Sequence, residues 1–257
     1  MWLCGACLSV LSVAISASSS PAPRPQPTPK PTPEPTPHRA MFHPRMVLEA
    51  VSQKGLLLAA LLPEHRANRA VVLAAVRQHG CALRYASPEL QADRDVVKAA
   101  VRCFGPALQF AAPALRGDPD VVLAAFEQDG SALEYASQEI RADRSMVCAA
   151  LRASGTLEHA TPEIRADREL VILAVKEDGL NLEFASPELR ADREVVLAAL
   201  SETGWALQFA SAELRADRSV VQTAVDRDGA GLKFTTPTLQ MDWELVQLSK
   251  RRRTESR

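Results

Sequence analysis

Acidic and basic side chains recur along this chain as one charged set with fixed spacing. One copy of the set consists of Glu188, Arg190, Asp192 and Arg193. Rows of such sets could bind a charged partner or hold cations. Alternatively, the aspartates cap helices and the arginines pair with them between neighbouring copies, each exposed ion pair contributing about 0–1 kcal/mol. We favour this second interpretation because the set recurs along the whole array, whereas a specific site has to be local.

The histidines and cysteines do not have the spacing of catalytic or metal-binding residues. They are His38, His43, His65, His79 and His159, and Cys4, Cys7, Cys81, Cys103 and Cys148. The chain also lacks the motifs of serine hydrolases, zinc proteases, phosphate-binding loops and dinucleotide-binding folds. Cys4 and Cys7 have thioredoxin-like spacing, but no βαβ pattern surrounds them. We therefore expect a protein that is not an enzyme, needs no cofactor and takes no small-molecule substrate.

The positive and negative charges nearly balance, with 30 lysines and arginines against 31 aspartates and glutamates. The resulting net charge of −1 argues against a general electrostatic attraction to nucleic acid or to an anionic membrane. Aromatic residues make up 5% of the chain, which is too few for a surface that stacks bases. The partner that we expect is therefore a protein and not nucleic acid, and we expect no membrane-spanning segment.

The charged sets belong to an internal repeat of about 25 residues. Its two markers are an aspartate series, Asp93, Asp118, Asp143, Asp167, Asp192, Asp217 and Asp242, and a glycine series, Gly55, Gly80, Gly105, Gly130, Gly155, Gly179, Gly204 and Gly229. Repeats 1 to 8 begin at residues 43, 68, 93, 118, 143, 167, 192 and 217, and a partial repeat 9 begins at residue 242. Repeat 5 is one residue short, with the gap after Gly155. Self-similarity at this length is typical of a solenoid, in which each unit contacts its neighbours.

The first half of repeat 7 predicts an amphipathic helix of about 11 residues. Asp192 would cap its start, and Gly204 would end it in a left-handed conformation. The apolar residues that gather on one face and should form the core are Val195, Val196, Ala199 and Leu200.

The second half of each repeat predicts a short helix over its A-L-x-aromatic-A segment and a final turn through P-E-L-R. Ser186-Pro187-Glu188 has the pattern of a helix start, with a hydroxyl cap, a proline and an acid. A leucine-rich repeat has a similar length, but its L-x-x-L-x-L-x-x-N pattern is missing. The predicted fold is all-α: a right-angle or superhelical α-solenoid of about eight 25-residue helical repeats plus a partial C-terminal capping repeat.

The repeat resembles the helical family catalogued as domain of unknown function 4116. The residues of repeat 7 that match the family pattern are Asp192, Val195, Val196, Ala199, Gly204, Leu207, Phe209, Ala210, Ser211, Leu214 and Arg215. The resemblance covers residues 43 to about 248. His43 and Asn68 depart from the pattern at the aspartate position, His159 departs at the aromatic position, and the ninth helix is polar. This resemblance implies the fold, but it supplies no catalytic residues, cofactor or partner.

The segments outside the repeats are assigned by composition. We assign residues 1–20 to a signal peptide or a disordered start. The apolar stretch fits a signal peptide, but the lysine or arginine that usually precedes such a stretch is missing. Residues 21–40 read as a proline-rich polyproline II linker, which we favour over a ligand for a proline-recognising domain. The repeat array is assigned to residues 41–249, and residues 250–257 to a basic disordered tail.

The two ends of the chain predict different cellular locations. Lys250 to Arg253 could be a nuclear import signal or a nucleic-acid patch, although we read this basic stretch first as a solubilising terminus. A nuclear signal would oppose secretion, so secreted and intracellular locations fit the sequence equally well.

The candidate partner-binding residues lie at positions that vary between repeats or in the unusually apolar first repeat. They are Arg77, Phe104, Lys176, Trp205 and Lys233 at variable positions, and Phe42 and Leu57 in the first repeat. Trp205 would be an anchor for a partner or would simply pack at a repeat junction. The first repeat could be covered by the linker, by a partner or by a second copy of the chain. The predicted function is a non-catalytic scaffold for protein–protein interaction; the alternative is a structural secreted or surface protein on a proline-rich stalk.

Overall fold

The structure is a computed structural model that describes residues 44–255. Within this range the regular secondary structure is helical, without a strand. The predictions of a signal peptide, of a polyproline II linker and of a binding role for Phe42 fall on residues outside the described range.

Each complete repeat contains a long α-helix, a 3₁₀ helix and a short α-helix. The long helices of repeats 1 to 9 span Pro44–Gln53, Arg69–Gln78, Arg94–Cys103, Pro119–Phe126, Arg144–Arg152, Arg168–Glu177, Arg193–Glu202, Arg218–Asp228 and Trp243–Glu255. The 3₁₀ helices span Gly55–Ala60, Gly80–Tyr85, Gly105–Phe110, Gly130–Tyr135, Leu157–His159, Gly179–Phe184, Gly204–Phe209 and Gly231–Phe234. The short helices span Pro63–Arg66, Pro88–Gln91, Pro113–Arg116, Gln138–Ala142, Pro162–Arg165, Pro187–Arg190, Ala212–Ala216 and Pro237–Gln240.

Successive repeats stack with equivalent elements side by side. Long helices pack on long helices, and 3₁₀ helices pack on 3₁₀ helices. Main-chain hydrogen bonds also join the repeats: the N–H groups of Ser87 and Ser186 donate to the carbonyls of Arg66 and Arg165, both at 2.9 Å. The fold is therefore an all-α repeat array in which each unit is stabilised by its neighbours, as predicted.

Repeat 7 confirms the predicted cap and core. The Oδ1 atom of Asp192 accepts hydrogen bonds from the backbone N–H groups of Glu194 at 2.9 Å and Val195 at 3.3 Å. The four predicted core residues, Val195, Val196, Ala199 and Leu200, are fully buried. Because an isolated helix of this length is marginally stable in water, this burial between repeats is what holds the helix in place.

The predicted left-handed helix end is wrong for Gly204, although Gly229 in the next repeat does end its long helix in that conformation. The helix of repeat 7 ends at Glu202 and is followed by Thr203, which has an extended backbone with φ −152°. Among the described glycines, Gly229 alone has a positive φ, at 70°. A Cβ atom on Gly204 would lie 2.3 Å from the carbonyl oxygen of Ala224 in the next repeat. Glycine is therefore required here because two repeats approach each other through their backbones.

The predicted hydroxyl cap of the short helix is present in some repeats and absent in others. The Ser186 hydroxyl accepts a hydrogen bond from the N–H of Leu189 at 3.4 Å, whereas the side chain of Ser87 does not cap its helix. A proline at the first helical position fits both repeats because the N–H that it lacks would have no partner inside the helix.

The basic end of the chain is helical up to Glu255, in contrast to the disordered tail expected from residue 250. The buried Ser249 donates its hydroxyl hydrogen to the carbonyl of Gly229 at 2.9 Å, and Arg253 Nε donates to the same carbonyl at 3.2 Å. The polar serine in the ninth helix thus faces the preceding repeat, and the basic stretch continues the last helix of the array.

Candidate binding surface on the long helices

The long helices present three parallel rows of side chains to solvent. The second, fifth and ninth residues after each cap are three or four positions apart, so they lie on the same side of the helix. The acidic row, at the second position, consists of Asp95, Asp120, Glu169, Glu194 and Glu244. The apolar row, at the fifth position, consists of Leu48, Leu73, Leu123, Ile172 and Leu197, which are half-buried or exposed. The basic row, at the ninth position, consists of Arg77, Arg102, Arg152 and Lys176.

The acidic row is already paired with arginines of the array. Arg94, for example, donates through Nε to the cap Asp118 at 2.8 Å and through a terminal nitrogen to Asp120 at 2.6 Å. The acidic-row pairs are Arg69–Asp95, Arg94–Asp120, Arg144–Glu169, Arg168–Glu194 and Arg218–Glu244. These contacts support the interpretation of the aspartates as caps and of the arginines that follow them as an ion ladder between repeats.

The ladder is interrupted once, at Pro119, where the other complete repeats from 2 to 8 carry arginine. The arginine that would pair with the cap Asp143 is therefore replaced by this proline. Asp143 instead accepts a hydrogen bond from the hydroxyl of Ser145 at 2.5 Å. The hydrogen bond from Arg94 is the largest cause that lowers the pKa of Asp118. For Asp143 the hydrogen bond from Ser145 has that role and lowers its pKa.

The basic row, by contrast, has no ion-pair partner among residues 44–255. Arg77, Arg102, Arg152 and Lys176 are exposed. Since the carboxylates of the acidic row are neutralised by the ladder, the basic row presents uncompensated positive charge beside an apolar row.

Grooves run between neighbouring long helices on this surface. The groove between repeats 2 and 3 has a volume of about 570 Å³ and is lined by Arg69, Leu73, Arg77, Asp95, Lys98, Ala99 and Arg102. We call it the basic groove. The groove between repeats 4 and 5 has a volume of about 300 Å³ and is lined by Leu123, Phe126, Glu127, Ala149, Arg152 and Ala153. The two grooves occupy equivalent places but differ in charge.

A second cluster lies on the 3₁₀ helices of repeats 7 and 8. The Nζ atom of Lys233 is 3.3 Å from the ring centroid of Trp205 and 4.7 Å from that of Phe234. The two aromatic rings meet edge to face, with their centroids 5.5 Å apart. Such contacts fix the indole ring, which is still 44% exposed.

The structure brings some of the predicted binding residues together and keeps others apart. Trp205 and Lys233 are in contact, whereas Arg77 and Lys176 share the basic row but lie in repeats 2 and 6. Phe104 follows the long helix of repeat 3 and is 40% exposed. Leu57 is exposed on the first 3₁₀ helix, next to the exposed Leu56. Association of two copies of the chain through the first repeat stays a prediction.

Three residues of these sites, Phe234, Lys98 and Arg102, were not predicted from the sequence. Phe234 occupies the ordinary aromatic position of its repeat, so nothing in its residue type marks it. Lys98 stands where repeats 1, 2, 4, 6 and 7 carry leucine or isoleucine, and that departure is a signal that could have been noticed. Arg102 becomes part of a site because the stacking brings it beside Lys98 and Arg77.

Residues 44–255 contain no group of His, Cys, Asp and Glu side chains arranged to hold a metal ion. No helix in that range is long and apolar enough to cross a membrane.

Comparison with known proteins shows the family of the chain. Neither the curated proteins nor the solved structures include a match. The family model described as domain of unknown function (DUF4116) matches residues 44–91, 93–141, 118–165, 143–190, 167–215 and 192–240. Each match covers two successive repeats, and most are shifted by one repeat from the match before, as expected for a stacked array. The chain therefore belongs to the DUF4116 family of helical repeat proteins.

Proposed function

We propose that this protein is a non-catalytic scaffold that binds another protein along the surface of its long helices. The observation that carries the proposal is the apolar row, which runs between two charged rows and is accompanied by grooves at the repeat junctions. Leu123 is 39% exposed and Leu48 is 38% exposed, so apolar area is available to a partner at separate points of the array.

The chemistry of the surface suits a protein segment with apolar and acidic side chains. An amphipathic helix or an extended peptide gains affinity by placing apolar side chains in a groove. Acidic side chains beside them would meet the basic row, whose charges lack partners within residues 44–255. The charged rows would then determine orientation and association rate more than affinity.

Site-specific photo-crosslinking in cells tests this proposal. A photoreactive amino acid is placed in the full chain at Leu123 in the apolar row or at Gln138, which is exposed on the short helix of the same repeat. The proposal predicts a crosslinked protein of defined mass at Leu123 and none at Gln138. Equal products at both positions, or none at Leu123, would contradict it.

A further inference from the structure

We infer that the basic groove binds a phosphorylated side chain of the protein partner. The inference rests on the proposed scaffold function and names the chemistry that the partner must carry at one point of the surface. Arg77, Lys98 and Arg102 line the groove together with Arg69.

The charge balance of the groove favours an anion with more than one charge. Its one carboxylate, Asp95, is bonded to Arg69 at 2.7 Å. No ion pair joins Arg77, Lys98 or Arg102 to any carboxylate in the described part of the chain. A phosphoryl group carries a charge of about −1.5 to −2 near neutral pH and has three acceptor oxygens, which suits convergent arginine and lysine side chains.

Helix-end electrostatics explain only part of this cluster. Arg77 and Arg102 lie in the last turns of their helices, where a cation is favoured by the helix dipole. Lys98 lies in the middle of its helix, in the place where most other repeats carry an apolar residue. Helix-end electrostatics therefore do not explain its cation, which lines the groove from the same helix as Arg102 and four residues before it.

The side chains of repeat 4 favour a single anion in the basic groove over a series of carboxylates along the array. Repeat 4 carries Leu123 at the position of Lys98 and Glu127 at the position of Arg102. A run of carboxylates that continued along the array would meet the negative charge of Glu127. One doubly charged group held between repeats 2 and 3 avoids that repulsion, and the apolar residue Leu73 in the same groove could contact a neighbouring side chain of the partner.

The test measures small-anion binding to the full chain by nuclear magnetic resonance. The probes are N-acetyl-phosphoserine amide, N-acetyl-aspartate amide, sodium sulfate and an octameric uridine RNA. We expect phosphoserine to shift signals of Arg77, Lys98 and Arg102 and to bind at least about fivefold more tightly than aspartate or sulfate. Equal affinity for the three small anions, or tighter binding of the RNA than of phosphoserine after correction for its number of phosphates, would overturn the inference.

The internal symmetry of the array provides matched variants. Lys98→Leu with Arg102→Glu installs the side chains of repeat 4 in repeat 3, and it should weaken phosphoserine binding at least about tenfold while the thermal midpoint stays within about 2 °C. Leu123→Lys with Glu127→Arg should create phosphoserine-dependent shifts in repeat 4. Unchanged phosphoserine binding in the first variant would overturn the inference. Crosslinking at Leu123 is measured separately, so the scaffold could stand if the phosphate site fails.

Discussion

The side-chain oxygen of Asn181 in repeat 6 accepts a hydrogen bond from the backbone N–H of Leu157 in repeat 5, at 3.0 Å. Repeat 5 is the copy that lacks one residue, and its 3₁₀ helix is shortened to Leu157–His159. The Asn181 amide nitrogen also donates to the carbonyls of Ala174 and Asp178, both at 3.2 Å. Asn181 is 2% exposed. It therefore satisfies a buried N–H group that the missing residue leaves without a helical partner.

Replacing Asn181 with alanine should destabilise the array, although alanine is the commonest residue at this position in the other repeats. The variant leaves the N–H of Leu157 buried without an acceptor, which typically costs about 1–3 kcal/mol. Urea denaturation should show a lower midpoint, and hydrogen exchange should be faster at the Leu157 amide. If Asn181→Ala were as stable as the wild type, the assigned role of this asparagine would be wrong.

Replacing Gly179 with alanine should destabilise the packing of repeat 6 against repeat 7. A Cβ atom there would lie 2.5 Å from the carbonyl oxygen of Ala199, a backbone atom that cannot rotate away. Overpacking of this kind costs about 1–3 kcal/mol. The free energy of unfolding, measured by urea denaturation, should fall accordingly.

Gly117→Ala is the matched control for this change. An added Cβ atom at Gly117 would approach the Ser137 side chain at 3.2 Å, and most other repeats carry alanine at the same position. We expect its free energy of unfolding to stay within about 1 kcal/mol of the wild type. Similar losses in both variants would show that the approach of the two backbones is not the reason for the glycine.

The aspartate caps should make the array sensitive to acid. Hydrogen bonds from Arg94 and Arg168 are the largest causes that lower the pKa of Asp118 and Asp192, and backbone N–H groups lower it further. A carboxylate whose pKa is lower in the folded state stabilises that state above its unfolded pKa of about 3.9, and this contribution is lost as the pH falls further. The free energy of unfolding should therefore change little between about pH 7 and pH 5 and decrease below about pH 4.

Asp118→Asn with Asp192→Asn tests the origin of this pH dependence. Asn68 already caps its helix through Oδ1, with bonds of 3.0 Å and 3.3 Å, so asparagine can retain the cap without titrating. Denaturation curves measured from pH 7 to pH 2.5 should show a smaller decrease for this variant than for the wild type. Glu202→Gln, at an exposed residue outside the ladder, should leave the decrease unchanged. An identical pH profile for the cap variant and the wild type would contradict the role assigned to the two aspartates.

Local patterns predicted much of the fold, because caps and core positions depend on residues close together in the chain. Asp192 with its cap bonds and the buried Val195 illustrate this. Contacts between repeats were harder to foresee. A glycine after a helix usually indicates a left-handed stop, and the approach of Ala224 to Gly204 becomes visible only when the repeats are stacked. The contact between Arg253 and Gly229, which anchors the basic end, also depends on the neighbouring repeat.

The binding surface could be predicted only in part for the same reason. Arg77 was identified as a variable position, but its neighbours Lys98 and Arg102 come from the next helix, so no single repeat shows the cluster. Trp205 and Lys233 were each named without any indication that they touch across a repeat junction.

The most direct test of the scaffold proposal is the affinity of the crosslinked partner, purified and titrated into the full chain by calorimetry. The apolar-row variant is Leu123→Lys with Ile172→Lys, a change that the row should tolerate because Lys98 occupies the equivalent position in repeat 3. The control, Ala142→Lys with Ala191→Lys, adds the same charge to exposed positions near the short helices of the same repeats. We predict that the apolar-row variant weakens the Kd at least about tenfold, or about 1.4 kcal/mol, at unchanged thermal stability, while the control binds as the wild type does. Equal affinities for the two variants would contradict binding along the long helices.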